Sequence, residues 1–213
     1  MFELATIQIV AGCLVGVALA GLRRVRAARR RRWMARHPAP TFVFADLVGY
    51  TALTEERGDE TAARVAREFR RTISGLSREH GAWQVKSMGD GAMIWSPDAA
   101  RAVALAARLV EEVGIRPDLL PVRVGVHTGP VVMVGGDWYG SSVNVAARLA
   151  GEATANEALI SWATRCAARD DLSRQLKHRC EVVLRGVERP VAVWSLKPSA
   201  VDTAAALAAH GVA

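Results

Sequence analysis

Cysteine is scarce in this chain. The three present, Cys13, Cys166 and Cys180, are odd in number and lack metal-ligand spacing, which excludes a disulfide framework and a zinc site and suits a reducing compartment. Lysine is scarce as well: only Lys86, Lys177 and Lys197 stand beside the many arginines, a bias without mechanistic content. No GxxxxGKS or GxxxxGKT string occurs, so a P-loop is excluded as the means of holding phosphate. No repeat or low-complexity tract breaks the chain after residue 40, which excludes a repeat architecture.

What is present is apolar mass and one concentrated charge. With 213 residues and 51% of them apolar, the chain has material for one ordinary domain, a sizeable core and a short appendage. The formal charge of +7 and isoelectric point near 10.1 would suit a nucleic-acid partner. Eight arginines, however, lie between Arg23 and Arg36, and without them and Glu3 the basic and acidic residues are equal in number. The main domain is formally neutral, and nucleic acid is not an expected partner.

Leu4 to Leu22 is a run of 19 residues without charge. At about 1.5 Å per residue such a helix crosses a hydrocarbon core of roughly 30 Å. Residues 1–22 are therefore expected to form one transmembrane anchor. The positive charge follows the apolar run, where a signal peptide would carry it in front, so the basic side is expected in the cytosol of a single-pass cell (inner) membrane protein. Gly12, Gly16 and Ala20 recur every four residues, a spacing compatible with a second helix packing closely. Residues 23–40 read as a basic juxtamembrane linker, suited to anionic headgroups, and end in His37-Pro38-Ala39-Pro40, whose prolines break a helix.

Hydrophobic period then places a short strand at Thr41 to Ala45, a long helix from about Glu60 to His80, strands at Trp83 to Ser87 and Ala92 to Trp95, and a helix from Asp98 to Val113. Strands at Val122 to Val126 and Val131 to Val134, a helix from Ser141 to Ala150, an apolar piece Ala158 to Trp162, and closing strands Glu181 to Leu184 and Val191 to Leu196 complete it. This order predicts an α+β domain over 41–197 with a ferredoxin-like split β-α-β core, helices packed on a mixed sheet, and an Ala-rich tail over 198–213.

Three strings carry chemistry. Phe44-Ala45-Asp46-Leu47-Val48-Gly49-Tyr50 is an apolar strand ending in a carboxylate and turning into a helix. Asp46 there suits a hard cation such as Mg²⁺, or equally a helix cap, and the amides from Leu47 to Tyr50 can point at phosphate oxygens. Lys86-Ser87-Met88-Gly89-Asp90-Gly91 is a hairpin whose tip offers a second carboxylate, Asp90. Lys86 is either an exposed edge-strand lysine or a half-buried one in need of a partner. In the third string, Gly136 to Leu149, Asn144 and Arg148 are four apart and share one helical face, fit for a ribose and a phosphoryl group or for plain solvation.

Together these strings resemble the catalytic domain of the class III adenylate and guanylate cyclases, from about Thr41 to Leu196. The resemblance implies Asp46 and Asp90 as ligands of two Mg²⁺ or Mn²⁺ ions, Lys86 and Asp137 as the adenine-reading pair, and Asn144 and Arg148 as the residues that orient the ribose and stabilise the transition state. It implies ATP as substrate, cyclic AMP as product, and a homodimer in which each site draws residues from both copies. A catalytically silent nucleotide-binding or protein-interaction module and a guanylate cyclase are the competing readings. Two departures stand out. Pro130 follows His127-Thr128-Gly129 where animal members often carry an arginine, and Arg185 stands where the family often has a lysine near the terminal phosphates.

Overall fold

A computed structural model describes residues 39–134, 137–168 and 176–198. The expected transmembrane anchor, the arginine run and the tail beyond Pro198 lie outside the described residues. Among the described residues, no helix is long and apolar enough to cross a membrane.

The elements run β1 (Thr41–Leu47), α1 (Tyr50–Glu79), β2 (Trp83–Met88), β3 (Gly91–Ser96), α2 (Ala99–Gly114), β4 (Val122–Thr128), β5 (Val132–Val134), β6 (Asp137–Tyr139), α3 (Ser141–Glu152), β7 (Glu157–Ser161), α4 (Trp162–Ala168), β8 (Lys177–Val182) and β9 (Val191–Leu196). Seven strands form one mixed sheet in the order β2-β3-β1-β4-β7-β9-β8, while β5 and β6 pair apart as a two-stranded ribbon. Among the described residues, only β4 and β7 run parallel. β1 lies between β3 and β4, antiparallel to both, which gives the β-α-β-β-α-β core expected from the element order.

Each face of the sheet is covered for a sequence reason. Phe69 and Ile73 of α1 and Leu105 and Leu109 of α2 recur at helical spacing and pack on Val43, Ala45, Val124 and Ile160. Each such side chain, once buried, stabilises the fold by about 1.5–3 kcal/mol. Asp98 starts α2 cleanly: its Oδ1 accepts from the amides of Ala100 at 2.8 Å and Arg101 at 3.1 Å. On the opposite face α3 lies on β4 backbone to backbone. A Cβ at Gly125 would stand 2.2 Å from Ala150 N and 2.3 Å from Ala146 O, so no other residue admits the helix this close.

Several boundaries differ from the sequence-based expectation. α1 begins at Tyr50, about ten residues before the expected start, and bends at Gly58 (φ 77°, ψ 165°). Glu55-Glu56-Arg57-Gly58-Asp59-Glu60 offers no apolar stripe, so its helical turns left no periodic trace. The last hairpin pairs Lys177–Val182, earlier than Glu181 to Leu184, because β8 is an exposed edge strand with no buried face to impose alternation. The apolar piece after residue 157 is the fully buried strand β7, followed by the unexpected short helix α4.

Candidate active site

Asp46 is the sixth residue of β1, opposite Gly91 on β3 and Arg123 on β4. The hairpin tip joins it there: Leu47 N donates to Asp90 O at 3.1 Å, and Gly89 turns the chain with φ 67°. A Cβ at Gly91 would stand 3.1 Å from Asp46 Oδ1, so the absence of a side chain leaves room beside that oxygen. Arg123 donates to Asp46 Oδ2 twice, from Nε at 2.9 Å and Nη2 at 2.5 Å. The Asp90 carboxyl is pushed up from its ordinary value, first by burial and then by the negative charge of Asp46; its own backbone amide and Arg123 oppose the shift. A carboxyl whose proton affinity is raised by burial and by a neighbouring carboxylate marks a site where a cation is favoured. A cleft of about 150 Å³ opens here, lined by Asp46, Met88, Gly91, Arg123, Ala147 and Gly151 among others.

The same region corrects two expectations. Asp46 is a strand residue engaged by Arg123, and the helix cap position belongs to Gly49 (φ 83°). Of the amides expected to face phosphate, Leu47 N is bonded to Asp90 O and Val48 N to Pro121 O at 2.8 Å. The first turn of α1 has no capping side chain, which leaves the amides of Tyr50, Thr51 and Ala52 open, while Leu53 N donates to Gly49 O at 3.0 Å.

Lys86 and Asp137 meet across 51 residues of sequence, Nζ to Oδ2 at 2.7 Å. Lys86 is an exposed residue of the edge strand β2, as one of the two sequence readings had it; the partial burial of the other is not found, although the lysine does have a charged partner. Asp137 Oδ1 accepts from Trp138 N at 2.8 Å. The Lys86 hydrogen bond, and after it the Trp138 amide, hold the Asp137 carboxyl below its ordinary value.

Asn144 and Arg148 lie one turn apart on α3, whose start is tied down by Ser142 Oγ donating to Pro130 O at 2.8 Å. A Cβ at Gly186 would stand 3.3 Å from Arg148 Nη2, which places the Arg185-Gly186 turn against the arginine. Arg185 itself is exposed. His127 is engaged elsewhere: its Nδ1 meets Ser161 Oγ at 2.8 Å, and burial lowers its pKa to about 4.

The seven candidate residues thus fall into three groups, Asp46 with Asp90, Lys86 with Asp137, and Asn144 with Arg148 and Arg185. Among the described residues no hydrogen bond or ion pair joins one group to another. The larger cleft, about 450 Å³ between α1 and residues 117–120, is lined by none of them. Sequence reading missed Arg123, whose trace was a guanidinium in the otherwise apolar run Val122-Arg123-Val124-Gly125-Val126. It also missed an aromatic file, Trp83 stacked on Trp95 at 4.9 Å, Trp138 at 5.5 Å from Trp95, and Phe42 edge-on to Trp138 at 5.7 Å.

Comparison with known proteins gives this geometry relatives. A pH-sensitive adenylate cyclase of Mycobacterium tuberculosis is 37% identical over 133 residues, covering 61% of this chain and 32% of that protein. An adenylate cyclase of Streptomyces griseus is 33% identical over 147 residues, covering 69% and 36%. The chain spans about a third of the length of these curated relatives. Among solved structures, an adenylate/guanylate cyclase/hydrolase from Silicibacter pomeroyi superposes with a TM-score of 0.68 at 25% identity, covering 75% of this chain and 96% of that one. The adenylyl cyclase CyaB of P. aeruginosa gives 0.63 at 22% identity, covering 76% and 95%, a likeness of fold. The family model described as adenylate and guanylate cyclase catalytic domain matches residues 33–198. That span takes in every strand of the sheet and all seven candidate residues, and this chain belongs to the adenylate and guanylate cyclase catalytic-domain family.

Proposed function

We propose that the domain is an adenylate cyclase that converts ATP to 3′,5′-cyclic AMP and pyrophosphate at sites shared between two copies of the chain. The observation that carries this reading is the Lys86–Asp137 pair at 2.7 Å. Lysine donates only and serves adenine N1, while a carboxylate accepts from the N6 amino group; guanine presents the opposite polarity at both positions. A site built this way rejects the wrong base because its own polar groups are left unpaired. Adenylate cyclases among the relatives at 33–37% identity support the same substrate.

Asp46 and Asp90 fit a divalent cation: both are carboxylates, Asp90 is raised beside Asp46, and Gly91 keeps the space open. Two Mg²⁺ or Mn²⁺ ions bound there would neutralise the triphosphate and acidify the ribose 3′-hydroxyl. The 3′-oxygen attacks the α-phosphorus in line and pyrophosphate leaves. Arg148 donates to the α-phosphoryl oxygens as charge develops on them, Asn144 orients the ribose, and Arg185 meets the terminal phosphates. Arg123 adds positive charge beside the carboxylates. No side chain is assigned as general base, since His127 is turned to Ser161.

The separation of the three groups within one chain supports sites completed by a second copy. So does the exposure of Trp83, Met88 and Tyr139 on the strands that bear Lys86 and Asp137, and of Val132 and Val134 on β5, which pairs with the Asp137 strand. The Leu4–Leu22 segment would tether the domain to the cytosolic side of the cell membrane and raise the local concentration of its partner. Assaying the full chain in membranes with ATP and then GTP tests the proposal: cyclic AMP should form with either metal, and cyclic GTP scarcely. Equal turnover of both nucleotides would overturn the base reading, and no turnover by a dimeric preparation would overturn the enzyme reading.

A further inference from the structure

Asp137 has an unusual foundation for a residue that must hold one hydrogen-bonding direction. It stands on the three-residue strand β6, which among the described residues pairs only with the three-residue β5 and lies outside the seven-stranded sheet. A ribbon this short is not a rigid platform by itself. The next residue, Trp138, supplies what the ladder does not. Its ring is directed at the sheet, edge-on to the fully buried Phe42 of β1 at 5.7 Å and tilted against Trp95 of β3 at 5.5 Å. Trp95 is held in turn by Trp83 of β2, stacked at 4.9 Å, on the strand that also carries Lys86. One aromatic file therefore spans β1, β3, β2 and β6, and ties the Asp137 ribbon to the Lys86 strand.

We propose that Trp138 is a positioning residue for base selection, acting through Asp137: its indole anchors the ribbon while its backbone N–H fixes one carboxylate oxygen. That N–H donates to Asp137 Oδ1 at 2.8 Å as Lys86 Nζ holds Oδ2 at 2.7 Å, so both carboxylate oxygens are tethered and the orientation of their remaining lone pairs toward the base is fixed. Nothing in the chemical step needs the indole. Its loss should show as misread base and weaker ATP binding, not as a damaged phosphoryl centre.

This inference rests on the ATP reading, and the test separates the two. In the full chain, Trp138→Ala should raise the KM for ATP and lower the ratio of ATP to GTP turnover by at least about ten-fold, with kcat at saturating ATP changed much less. Trp138→Phe should restore most of the preference. Trp95→Leu, which leaves Trp138 in place but removes its neighbour, should move the same ratio in the same direction by less, and serves if Trp138→Ala does not fold. Asp137→Asn is the reference. If it shifts the nucleotide preference while folded Trp138 and Trp95 variants do not, the positioning role is refuted and the base reading stands. If Asp137→Asn leaves the preference untouched, the base reading fails and the positioning role with it. A fall in kcat alone for Trp138→Ala would also refute the proposal.

Discussion

Arg123 spends two donors on a single oxygen of Asp46, Nε at 2.9 Å and Nη2 at 2.5 Å, while the other oxygen faces the space kept open by Gly91. The guanidinium therefore serves as the resident counter-charge of the carboxylate pair and competes with any cation that arrives. Replacing it by Met should tighten Mn²⁺ binding to the nucleotide-free protein by a few-fold, on the order of 1 kcal/mol for a half-exposed pair. The same change should raise the KM for ATP, because a positive charge near the polyphosphate is lost. Electron paramagnetic titration of Mn²⁺ checks the first effect, and weaker Mn²⁺ binding would contradict it.

Asp90 offers a pH-dependent test. Its folded pKa is raised by burial and by Asp46, so without metal its ionisation opposes folding, and stability from this residue declines as pH rises from the ordinary value of 3.8 through the folded one. Asp90→Asn should raise the melting temperature in EDTA at neutral pH while abolishing turnover. In the wild type the metal concentration for half-maximal activity should increase as pH falls toward that raised value, since protons and metal compete for one carboxylate. A melting temperature lowered by the substitution would show that Asp90 is stabilising as it stands.

Shared sites predict rescue. Asp46→Ala and Arg148→Ala should each be nearly inactive, the second by about 10²–10³-fold in kcat. Mixed and randomly reassorted, they should recover about a quarter of wild-type activity, since half of the dimers are mixed and each has one intact site of two. Proven heterodimers without recovery would place each site within one chain.

His127 should govern part of the acid stability. Burial lowers its pKa from 6.5 to about 4, so as pH falls the unfolded chain takes up this proton before the folded one. Its contribution is complete above pH 6.5 and is lost between 6.5 and about 4, on the order of 3 kcal/mol over the whole interval. Urea unfolding of wild type and His127→Gln across that range should give curves that converge toward acid. Parallel curves would show that the imidazole is not desolvated as its contact with Ser161 suggests.

Much of the core was legible because burial leaves periodic marks. β1, β3, β4 and α2 face the interior on a regular stripe or as fully buried strands, and their order was enough to yield the antiparallel core around β1. The candidate residues stood out for another reason: Asp46, Asp90, Asn144 and Arg148 are polar or charged groups in apolar or glycine-rich strings, and the family resemblance gave those strings a role. Illegible parts depend on distant partners. β6 is three residues long and exists only by pairing with β5, the start of α1 shows a polar surface, and β8 is exposed at the sheet edge. Arg123 became visible as part of the site only through its register opposite Asp46, a relation between residues 77 apart in sequence.

Lys86 and Asp90 belong to one hairpin, separated by a turn at Gly89 and anchored to β1 through the Leu47–Asp90 backbone bond. In the proposed two-copy enzyme these residues serve opposite sites, one reading a base and the other holding metal. A nucleotide settling on one side of the assembly would tug on the loop that prepares the other. Substrate in the first site would then set the affinity of the second, and by thermodynamic reciprocity the second would answer in equal measure. The end of one strand and a two-residue turn make a short cable, and across it each half of such an enzyme would be informed of what its twin has bound.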